Sequence, residues 1–215
     1  MKFKGAIFDL DGVIVDTVPL HFKAWKRMFN EYGKSFDFDE YKNKVDGIPR
    51  IDGARAVLSN LSEQELDQAA AKKQDYFLEF LDIEEIKVYQ STAALTRELR
   101  DAGVKRSVIS SSKNCRQILE RVNLIDLYDV IITGNDIKKG KPEPDVFLLA
   151  AEKLGLEPKE CVVFEDAVLG VEAAKRANMK CVGIDRYNSP QRLNKADLIV
   201  NDLSEITIEK INTLF

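Results

Sequence analysis

Six short apolar runs punctuate the chain: Gly5–Phe8, Ser107–Ile109, Val130–Ile132, Cys161–Phe164, Cys181–Ile184 and Leu198–Val200. Each is rich in Val, Ile or Phe. Nearly continuous apolar runs of this length suit strands buried on both faces, as in a parallel sheet. Between the runs the apolar positions recur every three or four residues. Thr92–Ala102 carries Leu95 and Leu99, Asn114–Val122 carries Ile118, Leu119 and Val122, Pro144–Leu154 carries Val146, Phe147, Ala150 and Leu154, and Val168–Ala177 carries Val171, Ala174 and Ala177. That period gathers them on one face of a helix. Strand and helix alternate from about Val88 to the end, which predicts an open α/β sheet with helices on both faces.

Residues 16–86 interrupt the alternation. No strand pattern occurs there. Leu20–Tyr32 carries Trp25, Met28 and Phe29, Asp52 is placed to cap Ala54–Leu58, and Ser62 heads Glu63–Leu81 with an acidic first turn. Acceptor side chains and acids at such positions favour a helix start. The expected organisation is an α/β core of residues 1–15 and 87–215, with a helical insertion of residues 16–86 after the first strand.

Length agrees with that division: 215 residues correspond to about 1.4 domains at roughly 150 residues each. Hydrophobic residues make up 45% and charged residues 32%, with a net charge of −4. A mildly acidic chain without a basic run is poorly suited to nucleic acid or an anionic membrane surface. No apolar run approaches the roughly 18 residues of a spanning helix. No long apolar stretch separates Met1 from Asp9, so no signal peptide is expected. Cys115, Cys161 and Cys181 are odd in number and far apart, as expected of reduced structural thiols in a cytoplasmic protein. The single histidine, His21, rules out a His-paired zinc site. A monomer acting on a small molecule is expected.

Four strand ends carry chemistry. The first run closes in Asp9-Leu10-Asp11-Gly12, two carboxylates where parallel sheets collect ligands. One could attack while the other moves protons, although the same residues also read as a turn. The second leads into Ser110-Ser111-Ser112-Lys113-Asn114, where a hydroxyl and helix N–H groups would grip a phosphate oxygen or merely cap a helix. The third site is Lys141-Pro142 before Pro144, a fixed cation or a solvated loop lysine. The fourth is Glu165-Asp166, hard ligands suited to Mg²⁺ or another cap. Converging carboxylates repel unless a cation holds them, so the four together favour a metal-assisted phosphoryl site.

These motifs, in this order, resemble those of the haloacid dehalogenase superfamily. The resemblance covers essentially the whole chain and implies a Rossmann-like core with an all-helical type-I cap. Asp16-Thr17, His21–Trp25, Asp46–Gly53 and Ser110–Asn114 are similar to its β-phosphoglucomutase-like group, with Pro49 where a serine is common. The resemblance implies that Asp9 is the nucleophile and Asp11 the proton donor and acceptor, while Ser110 and Lys141 hold the phosphoryl group. Asp9, the Asp11 carbonyl and Asp166 would hold Mg²⁺ with Glu165 in support. It further implies that Arg50, with Gly47 and Ile48 beside it, grips a distal phosphate. Ser111, Ser112, Lys113 and Asn114 would hold the other end of the substrate. Thr17, His21, Trp25 and Lys73 would couple the helical insertion to Asp11. Trp25 also reads as core, His21 as helix surface and Lys73 as solvated. The activity implied is a sugar-phosphate mutase working through a bisphosphate. A sugar-phosphate phosphatase is the chief alternative, and a phosphosugar-binding module without turnover a third.

Overall fold

A computed structural model describes residues 2–215; Met1, where the reading of the chain's start begins, lies outside them. In chain order the elements are β1 (Gly5–Asp9), β2 (Val15–Asp16), α1 (Val18–Glu31), α2 (Phe38–Lys44), α3 (Arg50–Val57), α4 (Glu63–Ile83) and β3 (Lys87–Val88). There follow α5 (Gln90–Asp101), β4 (Lys105–Ile109), α6 (Cys115–Arg121), β5 (Val130–Ile132), α7 (Asp145–Leu154), β6 (Cys161–Glu165), α8 (Val168–Arg176), β7 (Lys180–Ile184), β8 (Leu198–Val200) and α9 (Ile208–Asn212). The chain forms two compact units, one running through Val15 and resuming at Val88, the other Asp16–Lys87.

The first unit is built on a six-stranded sheet in the order β5-β4-β1-β6-β7-β8. All of its pairings are parallel. The six apolar runs are these six strands. Ile7, Ile109, Val163 and Cys181 share one core with Phe147 and Ala150 of α7 and Ala174 of α8. Their neighbours Phe8, Val108, Phe164 and Val182 are equally buried and point to the opposite face by the two-residue alternation of a strand. Phe8 stacks on Phe164 at 4.6 Å between centroids. Burial on both faces is why these strands lack a polar alternation.

β4 starts two residues before its apolar run, at Lys105 and Arg106. The Arg106 guanidinium is buried yet satisfied: it donates to the carbonyls of Leu127 and Val104 at 2.9 and 2.6 Å and to Asp129 at 2.7 Å. The sheet order places β1 between β4 and β6, so successive strands are added first to one side of β1 and then to the other, with the switch at its carboxyl end. Such switch points are where open α/β sheets bind ligands.

The second unit is helical between its terminal strand residues. α1 packs on α4 around Trp25, Met28, Phe29, Phe36, Leu58 and Leu66. Ser62 caps α4 as expected, in a reciprocal capping box with Glu65. Asp52 does not cap a helix. α3 begins earlier, at Arg50 after Pro49, so Asp52 lies inside its first turn and pairs with Arg55 at 2.7 Å. α2, not singled out by periodicity, is set by a capping box between Asp37 and Glu40. Among the described residues no helix is long and apolar enough to cross a membrane.

Candidate active site

Every residue of β1 is buried, and Asp9 is its last. The chain then makes a tight loop: Gly12 N–H donates to Val15 O at 2.8 Å, and Ile14 and Val15 both donate to Leu10 O. Gly12 has φ +82°, and a Cβ there would collide with the Asp166 carboxylate. Glycine is therefore required twice, for the left-handed turn and for the approach of the acid. The Asp-x-Asp-Gly segment is thus a turn that carries two acids to a sheet edge.

Lys141 is 4% exposed, not a solvated loop lysine. Its Nζ donates to Asp9 Oδ1 at 2.6 Å and to Glu165 Oε1. The second Glu165 oxygen accepts the N–H groups of Asp166 and Ala167 at 2.7 and 3.0 Å, so this carboxylate also anchors the entry to α8. Burial pushes the Asp9 carboxyl well above its usual range; Lys141 pulls the other way, and Glu165 and Asp11 add to the rise. Burial works against the charged form of Lys141, but Asp9 and Glu165 outweigh it and hold the ammonium above its ordinary value.

Asp9, Glu165 and Asp166 each present an oxygen within 4.8 Å of the others. Three carboxyl groups share this small volume with one ammonium. All three donors are hard oxygens, so the set fits Mg²⁺.

Ser110 follows β4. Its Oγ donates to Asp11 Oδ2 at 3.0 Å and accepts the N–H of Ser112 at 3.0 Å. The expected position at a helix N-terminus is not found. The turn Ser111–Asn114 intervenes, tightened by Asn114 N–H to Ser112 Oγ at 3.2 Å, and α6 begins only at Cys115. Lys113 is exposed, Ser111 and Ser112 are half-buried and Asn114 is buried. Asp9, Asp11, Ser110, Lys141, Glu165 and Asp166 are thus brought to one edge of the sheet.

The remaining candidates lie in the helical unit. Lys73, which the pattern allowed to be solvated, is 2% exposed. Its Nζ sits 2.8 Å from His21 Nδ1 and 4.9 Å from the Phe77 ring centroid. His21 stacks on Phe77 at 4.1 Å. Trp25 is in the core of this unit and stacks on Phe29 at 5.1 Å. Thr17 is buried. Gly47 adopts φ +73°, and Ile48 and Arg50 are half-buried. Burial lowers the Arg50 guanidinium somewhat, with Asp75 opposing. Two positions were missed from sequence. Gly170 lies against the Glu165 carboxylate, where a Cβ would collide. Arg186 follows the end of β7 and donates to Gly12 O at 2.7 Å. Following the strand-end rule to a fifth strand would have found it.

The chain belongs to the haloacid dehalogenase-like hydrolase family, whose model matches residues 6–184. It is 34% identical to the β-phosphoglucomutase of Bacillus subtilis over 97% of this chain and 94% of that protein. It is 32% identical to hexitol phosphatase A of Escherichia coli over 98% of this chain and 96% of that protein. A crystal structure of β-phosphoglucomutase from Clostridium difficile superposes with a TM-score of 0.91 at 29% identity, covering 99% of this chain and 96% of that one.

Proposed function

We propose that this enzyme interconverts β-glucose 1-phosphate and glucose 6-phosphate through an aspartyl phosphate and glucose 1,6-bisphosphate. The observation that carries the reading is the meeting of Asp9, Asp11, Ser110 and Lys141 at the carboxyl edge of one sheet, in a chain similar over its length to β-phosphoglucomutases. An Asp9 oxygen bonds to phosphorus as the bond from phosphorus to the sugar oxygen breaks. Asp11 gives that oxygen its proton. In the return step the incoming sugar hydroxyl passes its proton to Asp11, its oxygen bonds to phosphorus, and the bond to Asp9 breaks. Ser110 and Lys141 hold the transferring group, since phosphoryl transfer depends mainly on position and neutralised charge.

Asp9, Asp166 and the Asp11 carbonyl would hold Mg²⁺, with Glu165 in support. When bound, that ion neutralises phosphoryl charge. Arg50 is the candidate for the second phosphate of the bisphosphate, because a guanidinium can grip phosphate at two points. Ser112, Lys113 and Asn114 are candidates for the opposite end of the sugar phosphate, and Thr17, His21, Trp25 and Lys73 for the sugar's surroundings.

One incubation tests the reading: β-glucose 1-phosphate, Mg²⁺ and a trace of glucose 1,6-bisphosphate, with glucose 6-phosphate and free phosphate both measured. Glucose 6-phosphate as the main product is expected. Mostly free phosphate would turn the assignment to a sugar-phosphate phosphatase; the Escherichia coli relative is named as a phosphatase, of hexitols.

A further inference from the structure

We infer that Arg186 is a positioning residue for Asp11, holding the loop that carries it from the backbone side. The inference rests on the proposed role of Asp11 as proton donor. Arg186 follows β7, and its side chain is 14% exposed. Its Nε donates to the Gly12 carbonyl at 2.7 Å, one residue after Asp11. The guanidinium carbon lies 3.7 Å from the centroid of the Tyr89 ring. Tyr89 in turn donates its N–H to Ile14 O at 3.0 Å, at the far end of the same loop. Nη1 reaches Asn201 O at 3.3 Å and stands 3.8 Å from the Asp202 carboxylate. The remaining Nη2 is buried without a hydrogen-bond partner.

This pattern differs from that of Arg106, whose guanidinium is satisfied by two carbonyls and a carboxylate 2.6–2.9 Å away. Arg186 leaves a buried donor unused while its shortest bond goes to the acid-bearing loop. That bond is also the one the loop cannot supply for itself. Gly12 N–H is held from inside, by Val15 O at 2.8 Å, whereas the carbonyl of the same residue is held from outside, by Arg186. With both sides of Gly12 fixed and the Asp11 carboxylate meeting Ser110 Oγ at 3.0 Å, Asp11 has a backbone anchor and a side-chain anchor. Releasing the backbone anchor leaves Asp9 on its strand and loosens Asp11.

The test compares one chemical step with two leaving groups. Single-turnover formation of the aspartyl phosphate is measured with glucose 1,6-bisphosphate, whose sugar oxygen needs a proton to leave, and with p-nitrophenyl phosphate, whose phenolate does not. Displacing a catalytic group by a fraction of an ångström to an ångström costs on the order of tenfold to a hundredfold. Arg186→Met is therefore expected to slow the sugar reaction about tenfold, with half-saturation and the nitrophenyl reaction changed less than about twofold. Arg186→Lys, which keeps a cationic N–H donor on an unbranched stem, should recover part of the loss. If Arg186→Met does not fold, Tyr89→Leu should give the same split in smaller measure. Equal losses with both donors in whichever variant folds would overturn the inference. Asp11→Ala, run alongside, separates the two readings. If it shows the split and Arg186→Met does not, the positioning role alone fails; if it shows none, the proton-donor reading fails and takes this inference with it.

Discussion

Replacing Lys141 by methionine tests whether one lysine offsets the buried acids. Methionine keeps an unbranched stem beside Phe147, whose ring centroid is 5.7 Å from Nζ, and removes the ammonium with its charge and its hydrogen bonds to Asp9 and Glu165. At the 2.6 Å separation from Asp9, unit charges attract by about 6 kcal/mol at an effective dielectric of about 20. Returning the lysine to water in the unfolded state recovers several kcal/mol of that, and removing one partner of a buried pair typically costs about 3–5 kcal/mol. Glu165 is fully buried and also loses its cation, so the upper half of that range is expected. The assay is urea unfolding near neutral pH with the divalent cation chelated. Adding Glu165→Gln removes one of the stranded charges while leaving an oxygen for the Asp166 and Ala167 N–H groups, and should restore at least about 1.5 kcal/mol. A loss under about 1 kcal/mol, the size of an exposed pair, or a double variant no more stable than the single one, would refute the reasoning.

Asp9→Asn should abolish turnover while circular dichroism and the melting curve report an intact fold; retained turnover would remove Asp9 as nucleophile. Gly170→Ala ought to stabilise α8 by about 1 kcal/mol on helix propensity alone. The collision with Glu165 should reverse the sign, read as a lower melting temperature. Arg50→Ala should reduce mutase flux more than hydrolysis of a monophosphate, and equal losses would count against its grip on a distal phosphate. For Asp197, burial raises the pKa, but bonds from Lys175 and the Cys181 N–H lower it further, leaving it below its ordinary value. A depressed carboxylate contributes stability fully above about pH 4 and loses it as pH falls through the folded value. Urea midpoints of the parent and Asp197→Asn should therefore differ at neutral pH and converge in acid.

The sheet was legible because its strands are buried on both faces and so are written in Val, Ile and Phe without interruption. What escaped were places where a polar side chain is buried with its partners supplied from far along the chain. Lys105 and Arg106 look like loop, yet Arg106 finds Leu127, Asp129 and Val104 and completes β4. Lys73 looks like the solvent face of α4, yet it meets His21, 52 residues away. Asp52 has the side chain of a cap, but Pro49, which has no N–H to leave unpaired, opens α3 three residues earlier. Ser110 was expected to open a helix. The local pattern of hydroxyls cannot distinguish that from the four-residue turn that delays α6 to Cys115.

The candidate site was legible for a different reason. Asp9 and Glu165 end strands of the same parallel sheet and Ser110 follows one, so topology alone brings the three together although 156 residues of sequence separate the first from the last. Lys141 comes from the segment between β5 and α7. What topology cannot provide is the division of labour proposed for two acids two residues apart. That comes from their surroundings. Asp9 is buried and bonded to Lys141, so it keeps its place on the strand and faces a cation. Asp11 is half-buried, on a loop, and receives the Ser110 hydroxyl, a partner that tolerates either protonation state. In the proposed mechanism the attacking acid is the one beside a permanent positive charge, and the acid that gains and loses a proton is the one that meets a hydroxyl. The two carboxylates of Asp-x-Asp-Gly are placed in these two environments.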